Sequence, residues 1–277
     1  MRISVAVLLA FLASIFVTQT HADDTVYEGT SPVSLNLSPV CSCYSSGIMA
    51  GSELTLLTPH TGSVNGSGNN IFNFQNQSVV PEREMGVGGR YWLGYRNDSG
   101  LGVRTRYWHF NQLGVGPPNL DPNLDAQTWD TEVTQLFSRG VYSLDLSGGV
   151  RWGEINDHVS PVIDESFSGW GSTVALLGRR QIGSGPWSII GGARGSLLFG
   201  NHDFAILGIP INSTQEVLPV MEMQLGGEYS KRMFKNTNTF LRSALETQLW
   251  EMPPTLIGLF DQNVGLVGVN FSAGIRY

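Results

Sequence analysis

The sequence predicts an all-β fold, an antiparallel up-and-down transmembrane β-barrel of about ten strands. Three observations predict it. Residues 267–277 put Val267, Val269, Phe271, Ala273, Ile275 and Tyr277 on one face. Gly268, Asn270, Ser272, Gly274 and Arg276 take the other, the period of a strand with a single apolar face. About ten such alternating segments run through the chain, joined by connections that are in turn long and short. Barrels have that rhythm because their turns on one side are short and their loops on the other are long; a Greek-key sandwich has no reason to keep it. Finally, only 14% of the residues are charged, below the roughly 25–35% of a surface that meets water all round.

Taken in order, residues 1–22 read as a signal peptide. Arg2 precedes an apolar run, 3–17, and Thr20-His21-Ala22 supplies a small-x-small cleavage site. That run is shorter than the roughly 20 residues of a spanning helix, and no later stretch reaches that length, so a helical membrane protein is excluded. Residues 23–48 are expected as an N-terminal periplasmic segment and 49–277 as the barrel. Cys41 and Cys43 fall in the former. A bond between them would close a very tight ring, and a metal site of this kind needs a second pair, so neither is given a role.

The first strand is expected at 50–58, followed by a polar stretch, 59–82, rich in Gly, Asn and Ser. Strands at 85–96 and 101–110 flank the tight turn Asn97-Asp98-Ser99-Gly100, and 114–122 forms a second long link. Strands at 125–137 and 141–154 meet across Ser138-Arg139-Gly140, with a loop at 156–165 beyond. Strands at 166–179 and 187–199 pair across Gly183-Ser184-Gly185-Pro186 before a long link at 200–214. Strands at 215–230 and 239–250 are joined by 231–238; a last loop, 251–262, leads to 263–277.

Face assignment follows from charge. An arginine facing the lipid midplane costs about 2–4 kcal/mol, so the arginine-bearing face must be the lumen. Arg104 and Arg106 alternate with Leu101, Val103 and Tyr107. The same reasoning turns Arg90, Asp130, Glu132, Asp145, Arg151, Arg194, Glu222, Glu228, Arg242, Glu246 and Arg276 inward. Tyr91, Leu93, Tyr95, Tyr142, Leu144, Leu146, Leu197, Phe199, Met223, Leu225, Leu245 and Leu249 are expected to face lipid. The inward set either forms paired filling of a narrow barrel or lines a water-filled, weakly selective pore. Phe271 and Tyr277, on the outer face of the closing strand, are the expected assembly signal.

Other chemistries find little support. A net charge of -7 and the lack of a basic patch argue against nucleic acid. No nucleophile elbow, zincin, P-loop or paired CxxC pattern occurs, so no catalytic, cofactor-binding or metal-ligating residue is assigned. Asp157-His158 and His202-Asp203 lie where an omptin-like rim hydrolase would work, but neighbouring polar residues in an external loop are commonplace. An adhesin or receptor acting through its long loops is the other alternative. The expected partners are outer-membrane lipid and the barrel-assembly machinery, and the sequence leaves oligomerisation open.

The stretches Gly89-Arg-Tyr-Trp-Leu-Gly-Tyr95, Val103-Arg-Thr-Arg-Tyr-Trp-His-Phe110, Trp129-Asp-Thr-Glu-Val-Thr134, Gly148-Gly-Val-Arg-Trp152 and Ala193-Arg-Gly-Ser-Leu-Leu-Phe-Gly200 carry a resemblance, together with the closing strand. So does Cys41-Ser-Cys43 ahead of Gly51-Ser-Glu-Leu-Thr-Leu-Leu57. Over most of the mature chain the sequence resembles the Legionella major outer membrane protein family, with its planctomycete-type relatives. That resemblance implies a pore-forming outer-membrane barrel for small solutes or ions, and no catalytic residues. The chain lacks the many cysteines of the disulfide-linked members, so no cross-linked oligomer is implied.

Overall fold

The structure, a computed structural model, describes residues 46–63, 84–112, 123–160, 163–206, 209–234, 237–252 and 262–277. The expected signal peptide, both cysteines and most of the links at 59–82, 114–122 and 251–262 lie outside the described residues.

Ten strands follow one another: β1 (Gly47–Ser63), β2 (Gly86–Arg96), β3 (Leu101–Gln112), β4 (Asn123–Arg139), β5 (Tyr142–Ser160), β6 (Ile163–Gln181), β7 (Trp187–Ile206), β8 (Ile209–Phe234), β9 (Thr237–Trp250) and β10 (Gln262–Arg276). Each pairs antiparallel with its neighbours, and β1 pairs with β10, so the sheet closes into a barrel without a free edge. Closure satisfies every backbone ladder internally. At the seam, Met49 to Ser63 of β1 lie opposite Arg276 to Gln262 of β10, and the Tyr277 amide donates to the Ile48 carbonyl at 2.9 Å.

The start of β1, the end of β10 and the short turns share one end of the barrel, here called the turn end; the opposite end is the loop end. Three turns carry a glycine at positive φ, Gly100 (85°), Gly140 (60°) and Gly183 (59°), where an L side chain would be strained.

Three expected connections turn out differently. The predicted loops at 156–165 and 200–214 are mostly strand: β5 and β6 run on to Ser160 and Ile163, β7 and β8 to Ile206 and Ile209. Alternation persists through these stretches: Asn156, Asp164, Asn201 and Asp203 lie on the outer face of paired ribbons, while Asp157, Glu165 and His202 are buried within. The expected turn at 231–238 is likewise shortened by strand on both sides, to Phe234 and from Thr237. Register shifts at His158/Ser160, Phe204/Ala205 and Arg232/Phe234 place a bulge near the tip of each ribbon.

Candidate functional site

Alternation fixes which side chains enter the lumen, and the structure turns every expected lumen residue inward. Arg90, Asp130, Glu132, Arg151, Arg194, Glu228 and Glu246 are buried, while Arg104, Arg106, Asp145, Glu222, Arg242 and Arg276 are partly so. The expected lipid-facing residues all lie on the outer face, with Tyr91 60% and Leu245 65% exposed.

Midway along the lumen these residues interlock. Arg90 joins Glu53 with Glu246 (2.7 Å); Arg104 reaches Glu132 at 2.7 Å. Arg106 meets Asp130 at 2.8 Å, and Arg151 bridges Asp130 (2.5 Å) and Glu222 (2.6 Å). Arg194 closes the layer onto Glu132. The five arginines thus face five carboxylates contributed by several strands. Buried charge is tolerable only when paired in this way.

Nearer the turn end the balance changes. Glu228 alone receives Arg179 (2.9 Å), Arg242 (2.8 Å) and Arg276 (3.4 Å), while Arg96 meets Asp145 at 2.6 Å. A cavity of about 120 Å³ lies between these groups and the central layer. Trp92 stacks on Phe240 in its wall, with centroids 6.1 Å apart. Glu53, Arg96 and Arg179 belong to this lumen set and escaped the sequence assignment, although the parity of their strands carries the signal.

Towards the loop end the lumen is apolar. Leu57, Trp108, Phe110, Leu124, Ala126, Ile155, Phe167, Leu198, Leu218, Trp250 and Leu266 form one buried cluster across it. Small residues make room: a Cβ on Gly86 would stand 2.5 Å from the Phe110 ring, and one on Gly153 2.7 Å from Leu198. The Trp108 indole donates to Thr55 and the Trp250 indole to Gln248, both at 3.3 Å, so the rings enter the cluster with their polar edges satisfied.

The outer face changes character in step. Tyr91, Tyr107, Trp129, Trp152, Trp170 and Phe199 are direct cross-strand partners, one after another, from β2 to β7. On the loop-end side of this aromatic row the outward residues of β3 to β7 are polar: His109 and Asn111, Asp125 and Gln127, Glu154 and Asn156, Ser166 and Ser168, Asn201 and Asp203. On the turn-end side the outward residues of β2 to β7 include Leu93, Val103, Val133, Val150, Val174 and Leu197, all exposed. Strands β3 to β7 therefore exchange faces at the row, whereas β2 and β8 keep Val87, Val217 and Ile211 exposed at or beyond it. One stretch is charged within and apolar without; the next packs the apolar cluster within and is polar without, with Asp157, Glu165 and His202 buried beyond the cluster.

The rim dipeptides do not form couples. Adjacent strand residues point to opposite faces, so Asp157 is buried while His158 is exposed and bonds Asp164 at 2.7 Å. His202 turns inward to Glu165 at 2.8 Å, and Asp203 faces out. Among the described residues no cluster of His, Cys, Asp and Glu has a metal-holding arrangement.

No family model and no curated protein matches the chain. Among solved structures it is similar to Neisserial surface protein A, at 12% identity and a TM-score of 0.36, over 83% of this chain and 97% of that one. It is also similar to the translocator domain of the autotransporter NalP from Neisseria meningitidis, at 12% identity and a TM-score of 0.42, over 83% of this chain and 89% of that one.

Proposed function

We propose that this chain is an outer-membrane β-barrel with a closed lumen, a wall protein and not an open porin. The reading of a membrane wall is supported by the apolar outer face on the turn-end side of the aromatic row. There, 129–137 on β4 and 142–152 on β5 have the roughly 9–11 residues that a tilted strand needs to cross hydrocarbon. Tyrosine and tryptophan at the border suit an interface between lipid and water. Its partners are then the outer-membrane lipid and the machinery that inserts barrels, with export directed by residues 1–22.

The observation that carries the closed state is the apolar cluster of the loop-end half. Ions need a continuous polar path. Trp108, Phe110, Leu124, Ile155, Leu198 and Trp250 leave none through their layer, since each is withdrawn from solvent. The pore implied by the family resemblance would need that layer to part. Planar-bilayer recording tests the two readings. The purified protein should insert without steady conductance steps in KCl, whereas a Trp108→Ala, Trp250→Ala double variant should admit ions. Reproducible steps from the unmodified protein would overturn the closed reading and favour the pore.

A further inference from the structure

We propose that the turn-end cavity is a binding site for a small amphipathic organic anion, one with a phosphate or carboxylate head and a compact apolar body. This goes beyond the closed-wall reading and does not depend on it, because a pocket closed on one side fills from the other whether or not the lumen conducts. Eight arginines line the cavity against four carboxylates. The carboxylates that neutralise several of those arginines stand behind them. Asp130, Glu132 and Glu228 have fully buried side chains, whereas the side chains of Arg104, Arg106, Arg242 and Arg276 keep 11–19% exposure. Each pair therefore shows its cation to the cavity.

Hydrogen-bonding capacity points the same way. A guanidinium carries five donors and no acceptor. Among the described lining residues the Nε groups of Arg90, Arg96 and Arg242 are buried without an acceptor, against one oxygen of Asp145 without a donor, so the wall holds donors in surplus. Planar, bidentate donors of this type fit the oxygens of phosphate and carboxylate.

The apolar half of the ligand is set by the aromatic pair beside these arginines. Phe240 and Trp92 lie nearly parallel, at 13°. Arg276 sits over the Phe240 ring with its Cζ 4.5 Å from the centroid, and Arg242 at 5.3 Å. The cavity thus offers a cationic patch beside the half-buried Trp92 ring, which the buried Phe240 backs, a pairing that favours an aryl or short alkyl anion over a bare inorganic one.

The test uses the full-length protein in neutral detergent, titrated calorimetrically with phenyl phosphate, with phenol as the uncharged counterpart and with inorganic phosphate. Saturable binding of phenyl phosphate is expected, about tenfold or more tighter than phenol and several-fold tighter than phosphate. Arg242→Gln should weaken it about tenfold, and Phe240→Leu, which keeps all charges, should weaken it several-fold while leaving inorganic phosphate unchanged. Arg139→Gln, at an exposed turn position on the same end, should have no effect. Heat-modifiable mobility on gels reports whether each variant is folded, and the Phe240→Leu arm stands if Arg242→Gln does not fold. No saturable heat up to about 10 mM, equal affinity for phenol, or equal loss with Arg139→Gln would overturn the site. Equal affinity for inorganic phosphate would overturn the amphipathic class. None of these readings involves conductance, so the failure of the site and that of the closed wall are separable.

Discussion

Asp130 illustrates how single residues hold the interior. Its carboxylate is fully buried and receives Arg106 at 2.8 Å and Arg151 at 2.5 Å. Asp130→Asn leaves the central layer with one positive charge too many, and Arg151, itself fully buried, keeps only Glu222 as a charged partner. The expected loss is about 3–5 kcal/mol, the usual cost of breaking a buried pair by removing one member. It should be read as a lower urea midpoint in tryptophan fluorescence. Replacing both members, Asp130→Leu with Arg151→Met, removes the charge together with its partner and should cost distinctly less. The inward direction of these residues was legible in the sequence, because arginine on a lipid face is too costly and parity then assigns the rest of each strand. The pairing itself was not legible. Arg90 and Glu246 are far apart in the chain and meet only across the closed lumen.

A single strand of this barrel serves two surroundings. In β3 the outward positions run Leu101, Val103, Tyr107 and then His109 and Asn111, while the inward ones run Arg104, Arg106 and then Trp108, Phe110. Alternation never breaks, but the apolar residues change sides between Tyr107 and Trp108. Reading each strand by one rule, apolar outward, recovers the turn-end half and says nothing of the other. Periodicity reports that a face is apolar, not whether lipid or packed side chains cover it. A charge scan along β6 tests the division. Val174→Arg, on the apolar outer stretch, should cost about 2–4 kcal/mol of stability in lipid vesicles, whereas Ser166→Arg, beyond the aromatic row, should cost about 0–1 kcal/mol. Similar losses at both positions would place the lipid border elsewhere.

For the molecule as a whole, the strand count and the closed antiparallel topology were legible, since even pairing of neighbours needs only local hairpins. The lengths of the strands were not. Asn156, Asp164, Asn201 and Asp203 resemble loop residues in composition, yet they lie on the polar outer face of paired ribbons. On the membrane-wall reading proposed above, orientation follows from the short turns and the polar ribbons lying at opposite ends. In a background with Cys41→Ser and Cys43→Ser, a cysteine at Asp203 should react with a membrane-impermeant maleimide on intact cells, and one at Asp98 or Gly140 should react only after the cells are opened. The reverse pattern would turn the barrel over.

The exchange of faces along β3 to β7 bears on biogenesis. Ribbons whose outer surface is polar and whose inner surface is apolar satisfy the demands of a water-soluble β-fold, and their cluster of Trp108, Phe110, Ile155, Leu198 and Trp250 can collapse without lipid. On the membrane-wall reading proposed above, a barrel inserted from the turn-end side carries this polar-faced cap across the bilayer ahead of the strands that remain there. The passage it takes then admits either the packed cap or a chain whose apolar cluster has come apart.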